Sequence, residues 1–550
     1  MTIGEGFTEP LINAEVNPLS MTPSVFTVAE NNVAVTRPLS DGHAENPVSH
    51  DPEEKGISRW VWAEVREQCW LAGPIMCMYM MQYITNIACT VFMGHLGAFY
   101  LAAHTLANCF CSMSGFTVLV GMSTAMETLC GQAYGAKQYH LLGVFLQRAI
   151  IILTTTGLPI FGLIWINLER ISVALGQDPV IAQAAQTYAY WLFPALFLYA
   201  LYFPLIKFFQ TQRAVLELML CGVVTVLFHV PLLWLIVDKL NVGFIGVAIV
   251  FNISLFINIS AFSTFIRFSP RFEKTFPSFT RDAFGDFGDF FRLAIPSATM
   301  LCLDHWAYEA MMLLAGLLPN PKLNLSSVAI CMGLLSLSNM NALALGVATS
   351  VRVANELGAG KAHAARSVVA VSLFIATVYG IVMASLIFSL RDVWGWAFSN
   401  DSEVVQHVAH TAPYLAVIAA LYALGAALTG VLRGIGWQRA GAVANLGAYY
   451  IVGLPVAFVS LFVFHTDSRG IWLGMGCGLV TQIITLLSII LCPNWDQLAQ
   501  EAMLRSYSFS SKLSTPSLPL TKPLLEARKP TTGQEASGVR VFGRRVLTLY

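Results

Sequence analysis

Three ionisable side chains, Asp304, His305 and Glu309, interrupt an otherwise apolar stretch at 293–318. A charged side chain at the centre of a bilayer costs about 2.5–3.5 kcal/mol on insertion scales, so these groups should face a cavity. A spacing of four places Asp304 and Tyr308 on one helix face, and His305 and Glu309 on another. The chemistry predicted here is reversible protonation, because burial disfavours the charged form of a carboxyl group.

We expect Asp304 to carry the coupled proton and Glu309 to take part with it. A purely structural pairing of Glu309 with His305 is the alternative. His305 and Tyr308 are expected to line a substrate cavity. Pro296 precedes Asp304 on the same helix, and a proline can open the backbone locally and widen the space that the carboxyl group meets.

The composition is that of a membrane protein. Of 550 residues, 56% are hydrophobic and 11% charged, whereas ordinary soluble domains carry about 25% charged residues. The charged residues concentrate at the ends, with 14 of 62 in 1–66 and 12 in 493–550. Basic and acidic side chains balance at 31 each, which leaves no basic surplus for binding nucleic acid.

About twelve apolar stretches follow one another, each near the ~20 residues that a helix needs to cross a bilayer. The predicted fold class is therefore an all-α polytopic membrane protein with twelve transmembrane helices. The predicted organisation is a disordered N-terminal tail at 1–66, an N-lobe of helices 1–6 at 67–267, a linker at 268–290, a C-lobe of helices 7–12 at 291–492 and a disordered C-terminal tail at 493–550.

Orientation follows from the positions of the cations. The loops and helix ends after helices 2, 4, 6, 8 and 10 hold fourteen Lys and Arg residues, and those on the other side hold five. Short loops rich in Lys and Arg stay cytoplasmic. Both tails and the linker are predicted to be cytosolic.

The two halves of the chain repeat each other. LAGP at 71–74 recurs as LAIP at 293–296, and LYAL at 198–201 recurs at 421–424. Because each half has an even number of helices, the sequence predicts two six-helix lobes related by a pseudo-twofold axis along the membrane normal, a plan typical of alternating-access transporters. Tyr199 and Tyr422 occupy equivalent places and are predicted to face each other across a substrate cavity; packing of both tyrosines between helices, with their hydroxyls satisfied locally, is the alternative.

Other chemistries find little support in the residues. The stretch 131–138 resembles a phosphate loop but has three residues between its glycines and Gln138 where Ser or Thr is needed. The eleven cysteines are expected to be free thiols, and Cys109 with Cys111 lacks the second pair of a zinc site. We expect no enzyme activity, no metal and no cofactor. Uphill transport would then use an ion gradient, of protons rather than sodium.

Two structural details are also predicted. Glu127 lies near the end of helix 2 before a turn with Lys137, and a loop ion pair is expected there. The glycines spaced by four in 430–434 and 470–478 indicate close helix packing.

Four motifs resemble those of plant multidrug and toxic compound extrusion transporters. They are METLCGQAYGA at 126–136, LLPNP at 317–321, VRVANELGAG at 351–360 and GIGWQ at 434–438. The likeness runs in order from about residue 64 to 493. It implies twelve helices in two lobes around a central cavity, and export of organic compounds driven by inward proton or sodium flow.

The resemblance also implies residue roles. The family's usual coupling acid, eight positions after the proline of helix 7, corresponds to Asp304, and a second acid corresponds to Glu309. The Asp that many plant members carry in helix 10 corresponds to Tyr422. The implied scheme therefore relies on the carboxylates of helix 7, with Tyr422 contacting substrate rather than carrying charge.

The predicted function is a secondary active antiporter that exports xenobiotics or plant secondary metabolites in exchange for protons. Export of an organic anion or hormone on the same fold is the first alternative, and a membrane-embedded transferase is the second. Expected partners are a small organic substrate, cationic in the leading interpretation, protons and the lipid bilayer. A monomer in the vacuolar or plasma membrane is expected.

Overall fold

A computed structural model describes residues 57–276, 279–315, 318, 321–398 and 401–514. Its regular elements over these residues are helical. The long helices are α1 (Ile57–Leu96), α2 (Ala98–Gly135), α3 (Tyr139–Ala174), α4 (Pro179–Thr211), α5 (Val215–Lys239), α6 (Phe244–Phe268), α7 (Phe287–Ala315), α8 (Pro321–Gly358), α9 (Ala362–Ser389), α10 (Ser402–Ile435), α11 (Gln438–Phe462) and α12 (Arg469–Leu491).

Eleven helices of the described chain are long and apolar enough to cross a membrane. The twelfth, α7, has 29 residues and carries the ionisable side chains Asp304, His305 and Glu309. Helices satisfy all their internal backbone hydrogen bonds, which is why they can lie in lipid. The predicted all-α fold is confirmed.

Local signals set several helix ends. The carboxylate of Asp178 accepts a hydrogen bond of 2.8 Å from the backbone N–H of Val180, and Pro179 occupies the first turn of α4. At the other end of a helix, Gly436 has φ 96° and terminates α10 in the left-handed region that favours glycine. These ends fix the short turns between neighbouring helices.

The helices form two lobes, each with its own hydrophobic core, and a smaller cluster of α1, α5 and α8 residues joins them. The N-lobe core is built by α1–α6 and the C-lobe core by α7–α12. Helix α7 belongs to both, since Ala294 and Ala298 pack in the N-lobe core whereas Ala307 and Met311 pack in the C-lobe core. Pro296 lies inside this helix near the change of partner.

We call the end of the bundle where α1 begins the tail face; it includes the α2–α3 turn at 136–138. The two lobes are joined there by buried polar contacts. Arg352 of α8 donates to Glu64 of α1 through Nε at 3.0 Å and Nη2 at 2.6 Å. Gln132 of α2 donates to the carbonyl of Gly434 at 3.1 Å. The structure therefore holds the tail face closed.

The predicted boundaries of the two disordered tails, at residues 66 and 493, are wrong. Helix α1 already begins at Ile57, so 57–66 are helical rather than disordered. A thirteenth helix, α13 (Trp495–Ser514), occupies the start of the predicted C-terminal tail. Its low hydropathy hid it, although Leu498, Ala499 and Ala502 form one apolar stripe that packs on the C-lobe. Residues 1–56 and 515–550 lie outside the described residues.

The predicted glycine packing is confirmed. Gly430 of α10 lies directly against the backbone carbonyl of Gly346 in α8. Gly474 of α12 lies against Ala457 of α11, where a Cβ would be 2.5 Å from the alanine side chain. Glycine is needed at these crossings because any side chain would push the helices apart.

Candidate functional site

The C-lobe contains a cavity of about 30 Å³ beside Asp304, with space for about two water molecules. Helices α7, α8, α10, α11 and α12 all contribute to its wall. The polar groups among its lining residues are Asp304, Tyr422, Thr429, Arg433, Asn445, Tyr449 and Gln482. A cavity of this size is far below the ~300 Å³ that small-molecule sites begin at. It can hold water and pass a proton, but it cannot enclose an organic substrate.

Asp304 is held at this cavity with one oxygen free. Its Oδ1 is buried and has no hydrogen-bond partner within the described structure. Its carboxyl group lies within reach of the Tyr449 hydroxyl, which donates to Oε1 of Gln482 at 3.2 Å. One hydroxyl proton cannot serve both acceptors, so Tyr449 should turn to Asp304 when the carboxylate is charged and to Gln482 when it is protonated.

A chain of amides fixes Tyr449. Gln482 Nε2 donates to Asn445 Oδ1 at 2.8 Å, and Asn445 Nδ2 donates to the carbonyl of Met300 at 2.9 Å. Tyr449 itself lies in a π-helical segment of α11, Leu446–Gly453, and such segments are frequent at functional sites. The chain ties α11 and α12 to α7 one turn before Asp304.

Tyr308 and Tyr422 lie beside this group in the C-lobe. The Tyr308 ring is 6.2 Å from the Tyr422 ring and 6.3 Å from the Tyr449 ring, centroid to centroid. Tyr199 packs instead in the N-lobe, 4.6 Å from the rings of Phe116 and of Phe203. Among the described ring contacts, none joins Tyr199 to Tyr422. Each tyrosine packs in the hydrophobic core of its own lobe.

His305 and Glu309 lie outside the cavity, at the boundary between lobes. Their side chains are 42% and 34% exposed, and His305 Nε2 is 4.0 Å from Glu309 Oε1, too far for a hydrogen bond. Cys109 of α2 donates to Glu309 Oε2 at 3.7 Å. The six residues predicted for the site thus separate into an inner group around Asp304, a boundary pair, and Tyr199 in the other lobe.

The prediction of a loop ion pair for Glu127 is wrong. Glu127 lies within α2 and is fully buried. Its Oε1 accepts a hydrogen bond of 2.7 Å from Lys207 of α4, and its Oε2 lies 3.0 Å from Nε of Arg433 in α10. Lys137, the expected partner, is exposed in the turn. Sequence spacing could not reveal the observed pairing, because three helices distant in sequence must meet to form it.

Sequence reasoning also missed Arg433, Asn445, Tyr449 and Gln482. The apolar stretch of helix 10 ends before Arg433, which places this residue among the loop cations in the sequence, but α10 continues to Ile435. Asn445 and Gln482 interrupt apolar helices, and that signal could have marked them as cavity residues.

The N-lobe has a cavity of similar size, about 30 Å³, at the place that corresponds by repeat. Its polar lining is neutral: Gln82, Thr85, Asn86, Tyr199, Tyr202, Thr225, Ser254 and Asn258. The repeat has therefore kept the space in both lobes, while the carboxylate and the cation line only the C-lobe cavity.

Comparisons with known proteins agree with this architecture. The MatE family model matches residues 74–235 and 296–459, once in each half, which supports the internal repeat. Protein DETOXIFICATION 16 of Arabidopsis thaliana is 41% identical over 448 residues, covering 82% of this chain and 92% of the relative. Protein DETOXIFICATION 17 of the same plant is 39% identical over 449 residues, covering 82% and 94%.

Solved structures show the same fold. The crystal structure of the eukaryotic MATE transporter AtDTX14 superposes with a TM-score of 0.78 at 38% identity, covering 81% of this chain and 99% of that one. A transporter of the MOP superfamily from Pyrococcus furiosus shares the fold alone, with a TM-score of 0.69 at 15% identity, covering 81% and 97%. These relatives are transporters and not enzymes, as predicted. The chain belongs to the MatE family, the multidrug and toxic compound extrusion transporters.

Proposed function

We propose that this transporter is a proton-coupled antiporter that exports organic compounds by alternating access of its two lobes. Asp304 binds the transported proton in this proposal. The observation that carries it is the buried, unpartnered Oδ1 of Asp304 on a small polar cavity inside an apolar lobe. A carboxyl group placed there changes charge at low structural cost. The Tyr449 hydroxyl can donate to the ionised carboxylate, and it can donate to Gln482 when the carboxyl group is protonated.

The substrate, in this proposal, binds between the lobes rather than in the Asp304 cavity, which is too small for it. His305 and Glu309 are partly exposed at the lobe boundary and offer charged and aromatic contacts there with Trp306. Glu309 favours an organic cation as cargo. We further propose that the protein works as a monomer without a cofactor, in the vacuolar or plasma membrane, with both tails cytosolic.

Purified protein in sealed vesicles tests the proposal. A fluorescent organic cation should accumulate on the acidic side of the membrane, and collapse of the pH gradient should stop it. Asp304→Asn removes the titrating group and should abolish gradient-driven accumulation, whereas Asp304→Glu keeps a carboxylate and should retain the accumulation. A sodium gradient without a pH gradient is the control for the driving ion, and an anionic dye of similar size is the control for substrate charge. Full transport by Asp304→Asn would contradict the assignment.

A further inference from the structure

Arg433 lies between two carboxylates that belong to different lobes. Its Nε is 3.0 Å from Oε2 of Glu127 in the N-lobe. It also lines the C-lobe cavity together with Asp304, within electrostatic reach of that carboxylate. Both Arg433 and Glu127 are buried. A single guanidinium thus connects the lobe contact at the tail face with the cavity of the proton-binding residue.

The contact between Arg433 and Glu127 is an ion pair without a directed hydrogen bond. Although the two atoms are close, neither Nε of Arg433 nor Oε2 of Glu127 has a hydrogen-bond partner within the described structure. By contrast, Arg352 and Glu64 form two well-directed hydrogen bonds across the same face. The Arg433 contact is thus held by charge, and the guanidinium can leave it without breaking a directed hydrogen bond.

Each ion keeps a partner in its own lobe if the tail face opens. Glu127 retains Lys207, which also donates to Gln210 at 3.2 Å. Arg433 can turn to Asp304, with which it shares the wall of the C-lobe cavity. Removing one member of a buried ion pair is strongly destabilising when the other is left uncompensated. The arrangement avoids that cost, because each lobe has one anion and one cation of its own: Glu127 with Lys207 in the N-lobe, and Asp304 with Arg433 in the C-lobe.

We propose that Arg433 alternates between Glu127 when the tail face is closed and Asp304 when it is open, so that opening the tail face expels the proton from Asp304. This inference rests on the proposed function, in which Asp304 binds the transported proton. With the tail face closed, Arg433 neutralises Glu127 and Asp304 keeps its proton. With the face open, Arg433 stabilises the ionised Asp304, and the proton leaves through the tail face.

The other groups that face Asp304 are neutral. Of the described side chains that interact electrostatically with Asp304, Arg433 is the one cation, and the rest are the phenols Tyr308, Tyr422, Tyr449 and Tyr450. Helices α8 and α12 contribute only uncharged residues to the cavity wall, Leu343 and Gln482. A change in the position of Arg433 is therefore the charge movement that Asp304 would sense.

Linkage makes the proposal measurable. If the open form holds the proton less tightly, protonation must favour the closed form by the same free energy. For each unit by which the pKa of Asp304 differs between the two forms, protonation changes the ratio of open to closed molecules about tenfold. The tail face should consequently open more often as the pH rises through the titration of Asp304.

The experiment measures the distance between spin labels at Lys137→Cys in the N-lobe and Lys361→Cys in the C-lobe, both exposed turn positions. The full chain is used in lipid nanodiscs from pH 5.5 to 8, with exposed Cys69 and Cys492 replaced by Ser. We expect a growing long-distance population with rising pH in the parent chain. Arg433→Gln should abolish this pH dependence, and Arg433→Lys should retain part of it.

Two further variants distinguish coupling of Arg433 to Asp304 from a general weakening of the contact between the lobes. Glu127→Gln leaves Arg433 on Asp304 in both forms, so the pH dependence should vanish there too, while the amide that replaces the carboxylate can still accept a hydrogen bond from Lys207. Glu64→Gln breaks the other inter-lobe ion pair; it should raise the open share at every pH and keep the pH dependence.

The outcomes distinguish the inference from the proposed function. If Asp304→Asn abolishes the pH dependence but Arg433→Gln or Glu127→Gln leaves it at the parent value, Arg433 does not couple and the inference fails alone. If the pH dependence survives in Asp304→Asn, the proposed proton site is wrong. Size-exclusion profiles verify folding, and Glu127→Gln decides the matter if Arg433→Gln does not fold.

Discussion

The ring of Phe509 in α13 packs edge-on against Phe145 of the N-lobe, with centroids 5.3 Å apart and planes at 88°. The first half of the same helix is fixed to the C-lobe by Leu498 and Ala502. Between them, Arg505 donates to Gln132 of the N-lobe at 3.0 Å. Helix α13 therefore lies across both lobes at the tail face.

Phe509→Ala should loosen the N-lobe end of α13. An aromatic pair of this geometry contributes about 0.5–1.5 kcal/mol beyond its buried area. Hydrogen exchange of residues 505–514 should accelerate by about threefold to tenfold, while 495–502 stay protected by the C-lobe. Tyr507→Ala, at a half-exposed position on the same helix, is the matched control and should change little.

Tyr449→Phe should move the pH dependence of export toward higher pH. The variant removes the hydroxyl that donates to the ionised Asp304, so the charged form loses a hydrogen bond and the proton is held to higher pH. Tyr450→Phe is the control, because that hydroxyl donates to the carbonyl of Leu303 at 3.2 Å instead. Initial export rates between pH 5.5 and 8 measure both. Identical profiles in the two variants would exclude Tyr449 from the proton site.

Tyr422→Phe should leave the pH profile in place and change substrate affinity little, because Tyr422 is buried in the C-lobe core and away from the lobe boundary where the substrate is proposed to bind. Its ring packs against Tyr308, and its hydroxyl is not needed to neutralise Asp304 if Arg433 and Tyr449 do so. The measurement is KM for a fluorescent cation at three pH values. A displacement of the profile by a unit or more would place Tyr422 on the proton path.

Gly430→Ala should destabilise the C-lobe. A Cβ at this position would overlap the backbone carbonyl of Gly346, so α8 and α10 would have to separate. Overpacking of this kind costs about 1–3 kcal/mol. Gly447→Ala is the matched control, since a Cβ added there would meet no other atom within 4 Å. Thermal unfolding in detergent compares the two, and equal midpoints would contradict the packing argument.

The cation asymmetry predicts topology. Epitope tags inserted at residues 20 and 530 should be protected in intact cells and accessible on the outer surface of sealed vacuoles, whereas a tag beside Asn241 in the α5–α6 turn should be reached from the opposite side of the membrane. Permeabilisation should expose the first two. Labelling of either terminal tag from outside intact cells would reverse the orientation.

The sequence was sufficient for the features that repeat or persist along the chain. Hydropathy located the helices, and paired motifs such as LYAL at 198–201 and 421–424 revealed two lobes. It singled out Asp304 because an acid in an apolar helix has few structural explanations. The partners of Asp304 escaped prediction, since Arg433, Tyr449 and Gln482 come from three helices whose rotation and crossing angles depend on tertiary packing.

The distribution of α7 between two cores bears on how the chain is made. Its ionisable side chains, Asp304, His305 and Glu309, make it a poor candidate for entering a bilayer unaided. Its first half packs on the N-lobe through Phe290, Ala294 and Ala298. Six helices that emerge earlier from the ribosome therefore offer a packing surface for the seventh, and we expect the C-lobe to insert poorly when it is expressed without the N-lobe.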